Sequence, residues 1–150
     1  MRMKLRLGQV LQDYNYLWRE IEMLWHEIAL SAGMSDSAFT ILYTILELGE
    51  GCLQKDICNL NAVSKQTVHS SVKNLERDGI IEFRNEGGKE KRVYLTSYGK
   101  AFTKEKIFPI ANMENEVFAE MHEEESQELI RLTRKYLTQF QEKLKNKEII

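Results

Sequence analysis

Apolar side chains recur at three- and four-residue steps through Leu7, Val10, Leu11, Tyr14, Leu17, Trp18, Ile21, Leu24, Trp25 and Ile28. No glycine or proline falls between Gly8 and Gly33. This predicts one amphipathic helix of about 25 residues, long enough to need a partner along its whole stripe. Ser35 is placed to cap a second helix, in which Phe39, Leu42, Tyr43, Ile45, Leu46 and Leu48 lead to Gly49-Glu50-Gly51. So dense an apolar run predicts burial. A third, short helix is expected from about Leu53 to Asn59.

The next stretch carries the most chemistry. Ser64 is a second N-cap, and Val68, Val72 and Leu75 form an inward stripe on a helix running to Asp78 and closed by Gly79. Asn61 stands at the bend, where a left-handed backbone is expected and Asn tolerates it best after Gly. Two short helices, a tight turn and a polar start to the second make a helix-turn-helix pattern. The outward positions of the second helix are Ser64, Lys65, Gln66, Thr67, His69, Ser70, Lys73 and Asn74. Between Lys65 and Lys73 there is no acid. An ordinary solvated face would be polar too, but it usually mixes Glu with Lys. A helix N-terminus with free N–H groups suits a phosphate, Gln and Asn can pair with adenine, and Lys can reach guanine or phosphate. The face is therefore expected to meet double-stranded DNA.

After Gly79 the period becomes alternating. Ile80–Arg84 and Lys91–Leu95 predict two strands around the turn Asn85-Glu86-Gly87-Gly88. An isolated hairpin is marginal, so its base should pack on the helices while its tip projects. Arg84, Lys89, Lys91 and Arg92 put cations on that projection, a wing suited to a DNA backbone or minor groove. Thr96 should cap a long helix reaching Met121, kinked at Pro109. Glu123-Glu124-Glu125 introduce a last helix with the stripe Leu129, Leu132, Tyr136, Phe140 and Leu144. With one proline and eight glycines, the chain has too few turn residues for a sandwich or barrel. The fold class is mainly α with a small β-hairpin wing, a winged helix-turn-helix between terminal helices.

Net charge complicates this picture before it supports it. The chain carries 21 Lys and Arg against 23 Asp and Glu, a formal −2, whereas nucleic-acid readers are usually basic. Resolved along its 150 residues, the charge is −3 over 1–50, +3 over 51–100, +1 over 101–110 and −3 over 111–150. What phosphates meet is the local potential, and the basic part coincides with the predicted reading head. No apolar run of about 18 residues occurs, and Met1–Gly8 is too polar for a secretion signal. The expectation is a cytoplasmic chain with no membrane contact.

Other chemistry finds little support. Cys52 and Cys58 have no activating context and read as packed, reduced thiols. His26, His69 and His122 are far apart, and there is no Cys-x-x-Cys and no glycine-rich phosphate loop. Neither a metal site, nor a cofactor, nor an enzyme is expected.

In order, Leu53–Ile57, Val63–Val68, Leu75–Ile81 and Leu95-Thr96-x-x-Gly99 resemble the MarR family of transcription regulators. The resemblance implies a homodimer joined by its first and last helices, with residues 1–34 and 97–150 as dimerisation region and 35–96 as the winged DNA-binding domain. It implies a pseudo-palindromic operator and repression released by a ligand, often a small aromatic. The family wing's Asp-x-Arg falls here on Gly87 and Lys89, with Glu86 beside them. Tyr14, Trp18, Trp25, His26 and Tyr43 have two readings, as core and dimer packing or as the lining of that ligand site. A winged-helix dimer serving as a protein-interaction module is the alternative to a DNA reader.

Overall fold

The computed structural model describes residues 4–61, 63–88 and 90–150. The chain divides into two compact units, residues 1–107 and 108–150. The first holds α1 (Gln9–Ser31), α2 (Asp36–Leu48), β1 (Cys52–Leu53), α3 (Gln54–Asn61), α4 (Lys65–Arg77), β2 (Ile81–Arg84), β3 (Arg92–Leu95) and α5 (Ser97–Lys106). The second holds α6 (Phe108–Glu120) and α7 (Glu123–Asn146).

Hydroxyl caps set the helix starts. Ser35 Oγ accepts the Ala38 N–H at 3.3 Å, Ser64 Oγ that of Thr67 at 3.1 Å, and Thr96 Oγ1 that of Gly99 at 2.9 Å. Each satisfies one of the donors that a helix start leaves free. The core they enclose is aliphatic. Ile41, Leu42 and Ile45 of α2, Ile57 of α3, and Val68, Val72 and Leu75 of α4 are buried against Ile81 and Val93 of the sheet. From α1, only the C-terminal end reaches this core, through Ala29 and the half-buried Trp25 and Ile28. Most of its stripe is in solvent: Val10 is 84% exposed and Leu17 58%.

Three elements depart from the expected pattern. The sheet has three antiparallel strands in the order β1-β3-β2, not two. Cys52 pairs with Val93 and Leu53 with Arg92, so the segment expected to open a helix first forms a two-residue strand. Asn61 ends α3 without a left-handed backbone; Glu148 is the one non-glycine residue with positive φ among those described. Asn61 works through its side chain, donating Nδ2–H to Thr44 Oγ1 at 2.7 Å and to the Ile57 carbonyl at 3.1 Å. That ties the helix-turn-helix bend to the buried Thr44 of α2.

The third departure concerns Pro109. The long helix expected to be kinked there is two helices, with the break at Ile107. Pro109 then lies in the first turn of α6, where its missing N–H would have had no partner in the helix. Within the second unit, α7 begins where the His122 N–H donates to the Glu125 carboxylate at 2.9 Å. Neither α6 nor α7 contains a buried residue. Leu129, Leu132, Tyr136 and Phe140 all stand exposed on α7. No single helix among the described residues is long and apolar enough to cross a membrane.

Candidate nucleic-acid interface

The buried stripe of α4 decides what its other face presents. With Val68, Val72 and Leu75 turned into the core, Lys65, Gln66, Thr67, His69, Ser70, Lys73 and Asn74 are all exposed, as is the capping Ser64. The first turn carries no acid. Its free N–H groups and positive dipole end stay unopposed by any carboxylate of that turn. The Ser64 cap also holds Thr67, whose hydroxyl lies 2.8 Å from Ser64 Oγ. All eight recognition-helix residues expected from the sequence therefore share one solvent face.

Beside this face runs a groove of about 380 Å³ between α3, α4 and the wing. Leu53 and Phe83 give it apolar lining, and Lys55, His69, Lys73 and Lys91 bring basic groups to it, alongside the carboxylates Glu76 and Glu90. The Lys55 ammonium donates to both Glu90 oxygens, at 3.0 and 3.3 Å. Lys55 and Glu90 were not expected here from sequence. One residue inside a short helix, Lys55 shows no pattern linking it to a position 35 residues on.

The remaining wing cations take different places. Strand register puts Arg84 opposite Arg92 and Glu82 opposite Tyr94, alternating with the pairs Ile81–Leu95 and Phe83–Val93 on the core side. Arg84 and Arg92 thus occupy the sheet face turned away from the core. There Arg84 donates to Glu82 at 2.8 Å and lies 4.5 Å over the Tyr94 ring. Arg92 donates to the Gly51 carbonyl at 2.7 Å and sits 3.5 Å from Glu86. The Tyr94 hydroxyl donates to Glu86 at 2.5 Å, a bond that with partial burial pushes its pKa up. Gly51 is needed for this arrangement: its φ is +88°, and a Cβ would lie 2.9 Å from the Tyr94 oxygen. Lys91 lines the groove and Gly87 shapes the turn at φ +77°, whereas Lys89 lies outside the described residues.

At the edge of this network, burial pushes the Glu50 carboxyl upward. The Lys100 ammonium and the Leu95 N–H outweigh that and hold its pKa below the ordinary value. The ion pair to Lys100 is 3.2 Å and the bond from Leu95 N–H 3.1 Å. Together they anchor the loop before β1 to β3 and α5.

The five residues weighed for a ligand site separate into three groups. Trp25 meets Tyr43 edge-on at 5.9 Å, and both pack near Phe39. Tyr14 and Trp18 stack at 6.5 Å further toward the start of α1. His26 is exposed and paired through Nδ1 with Asp36 at 2.8 Å, across the α1–α2 junction. Cys52 and Cys58 are free thiols, and burial pushes that of Cys52 up. Among the described residues no cluster of His, Cys, Asp or Glu is suited to a metal ion.

A capped helix with no acid in its first turn, beside a three-stranded sheet, defines a winged helix-turn-helix protein. Residues 32–92 match the sequence model MarR_2, described as the MarR family. No curated protein matches the sequence. Solved structures of MarR regulators are similar in fold over most of the chain. A MarR family regulator from Neisseria meningitidis is similar with a TM-score of 0.76 at 20% identity, covering 93% of this chain and 99% of that one. The Staphylococcus aureus MepR–DNA complex gives 0.68 at 18% identity, covering 90% and 99%. Staphylococcus aureus MarR in complex with salicylate and kanamycin gives 0.67 at 17%, covering 89% and 91%.

Proposed function

We propose that the protein is a homodimeric, sequence-specific transcription regulator of MarR type that binds a pseudo-palindromic duplex in the cytoplasm. The observation that carries this reading is the exposed face from Ser64 to Asn74, eight hydrogen-bonding side chains with no acid before Glu76. Gln66 and Asn74 are suited to base edges; Ser64, Thr67, Ser70 and the helix N-terminus are suited to phosphates. Lys65, His69, Lys73, Lys91 and Lys55 supply local positive charge along the helix and the groove. In this reading Arg84 and Arg92 brace the wing while its tip, with Lys89, follows the DNA backbone. A neighbour solved as a MepR–DNA complex supports the same use of the fold.

The exposed apolar stripes of α1, α6 and α7 support the dimer. Residues 1–34 and 97–150 would join two copies, each presenting residues 35–96 as a reading head. A closed two-fold pair is the commonest way to cover such faces. Repression released by a small aromatic ligand rests on the Trp25–Tyr43 pair next to the His26–Asp36 bridge, where α1 meets α2. The neighbour bound to salicylate supports an aromatic acid as ligand class.

The deciding test is selection of bound sites from random duplex DNA. An enriched palindrome, with half-sites about one helical turn or a multiple of it apart, supports the reading. Failure to enrich any sequence, with binding of a protein partner instead, would favour an interaction module.

A further inference from the structure

The groove beside α4 contains a charge that a DNA reader should not want. Glu90 projects into a space whose other ionisable groups are mainly basic, and there it holds the Lys55 ammonium at 3.0 Å. Both side chains are exposed, Lys55 at 58% and Glu90 at 60%. An ion pair so exposed is worth little in water, so it restrains Lys55 without locking it. His69 and Lys73 of α4 and Lys91 of the wing line the same groove, as does Glu76. A duplex backbone entering there would bring phosphates to the position Glu90 now serves as counter-ion.

We propose that Glu90 is a built-in competitor of DNA for Lys55. On binding, the Lys55 ammonium exchanges the Glu90 carboxylate for a backbone phosphate, and the carboxylate it leaves behind holds down affinity. Glu90 would thus set the strength of DNA binding without contacting a base. The inference rests on the DNA-binding reading above. It adds Glu90, which this reading did not require, and couples it to Lys55.

The test compares wild type, Glu90→Gln, Lys55→Ala and the double variant on one selected duplex and on random duplex, across salt concentrations. Glu90→Gln keeps the shape and removes the competitor. It should tighten binding about three- to tenfold near 0.1 M salt and steepen the dependence of log K on log salt by up to about one unit, because no uncompensated carboxylate is left in the complex to take up a cation. Adding Lys55→Ala to Glu90→Gln should return most of that gain. All four proteins should melt at closely similar temperatures, since the pair is exposed. Equal affinity and salt slope for wild type and Glu90→Gln would overturn the exchange. So would a double variant as tight as Glu90→Gln, which would make Glu90 simply a repulsive charge. Absence of binding to either duplex by wild type would overturn the DNA-binding reading, and the exchange with it.

Discussion

Gly99 and Ile80 meet backbone to backbone: a Cβ built on Gly99 would lie 1.8 Å from the Ile80 carbonyl oxygen. This contact seats the start of α5 on the residue before β2, so it fixes the base of the wing. Thr96 reinforces it, its N–H donating to the Ile80 carbonyl at 3.1 Å and its hydroxyl to that of Gly79 at 2.5 Å. Replacing Gly99 by Ala must part backbone from backbone. The expected cost is about 3 kcal/mol, at the upper end for overpacking, read as a lower urea midpoint with an unchanged slope. A variant as stable as wild type would contradict the contact.

Asn61 offers a separate test, because two backbone conformations predict different outcomes there. In the structure it ends α3 and bonds Thr44, so Asn61→Ala should cost about 1 kcal/mol for the hydrogen bond. Asn61→Gly should cost more than Ala, since glycine adds backbone entropy in a right-handed conformation. Were the residue left-handed, as the bend in the sequence suggests, glycine would be the better tolerated of the two. Urea unfolding of both variants separates the cases.

The Glu50 carboxyl gives a pH signature. Its folded pKa lies below the ordinary value, so its contribution to stability is present above the ordinary carboxylate range, near 4.3, and is lost as pH falls through the folded value. Wild type should therefore exceed Glu50→Gln in stability at pH 7, by a small margin because the group is exposed. The difference should shrink toward zero as pH is lowered below about 4. A constant difference across that range would show that charge is not the reason.

The apolar stripes predict the oligomer. Light scattering should give about twice the 17.6 kDa chain mass, and a Leu132→Glu, Phe140→Glu variant should shift toward one chain mass at micromolar concentration. Wild type at a single chain mass would remove the case for paired reading heads.

What the sequence made legible, and what it hid, follows from the range of each interaction. Ser35, Ser64 and Thr96 announce their helices because a cap acts within three residues. The exposure of Ser64 and of the seven polar α4 positions from Lys65 to Asn74 was legible because Val68, Val72 and Leu75 set the helix phase. Long-range relations were not. A two-residue strand such as β1 has no period, and its partner Val93 lies 41 residues on. Arg84 and Arg92 looked like free wing cations because nothing local places Glu82, Glu86 and the Gly51 carbonyl around them. Pro109 looked like a kink because a proline in a helical pattern can either bend one helix or end it, and no glycine marks the end at Ile107.

The central claim is that the exposed face of α4 reads DNA, and one variant addresses it most directly. A mobility-shift titration should compare wild type with Lys65→Ala, Lys73→Ala on the duplex selected by wild type, at several salt concentrations. The double variant should keep its helical content and chain mass, bind at least tenfold more weakly, and lose up to about two units of salt slope. Unchanged affinity and slope in a folded double variant would show that this face does not meet the phosphates, and would contradict the account.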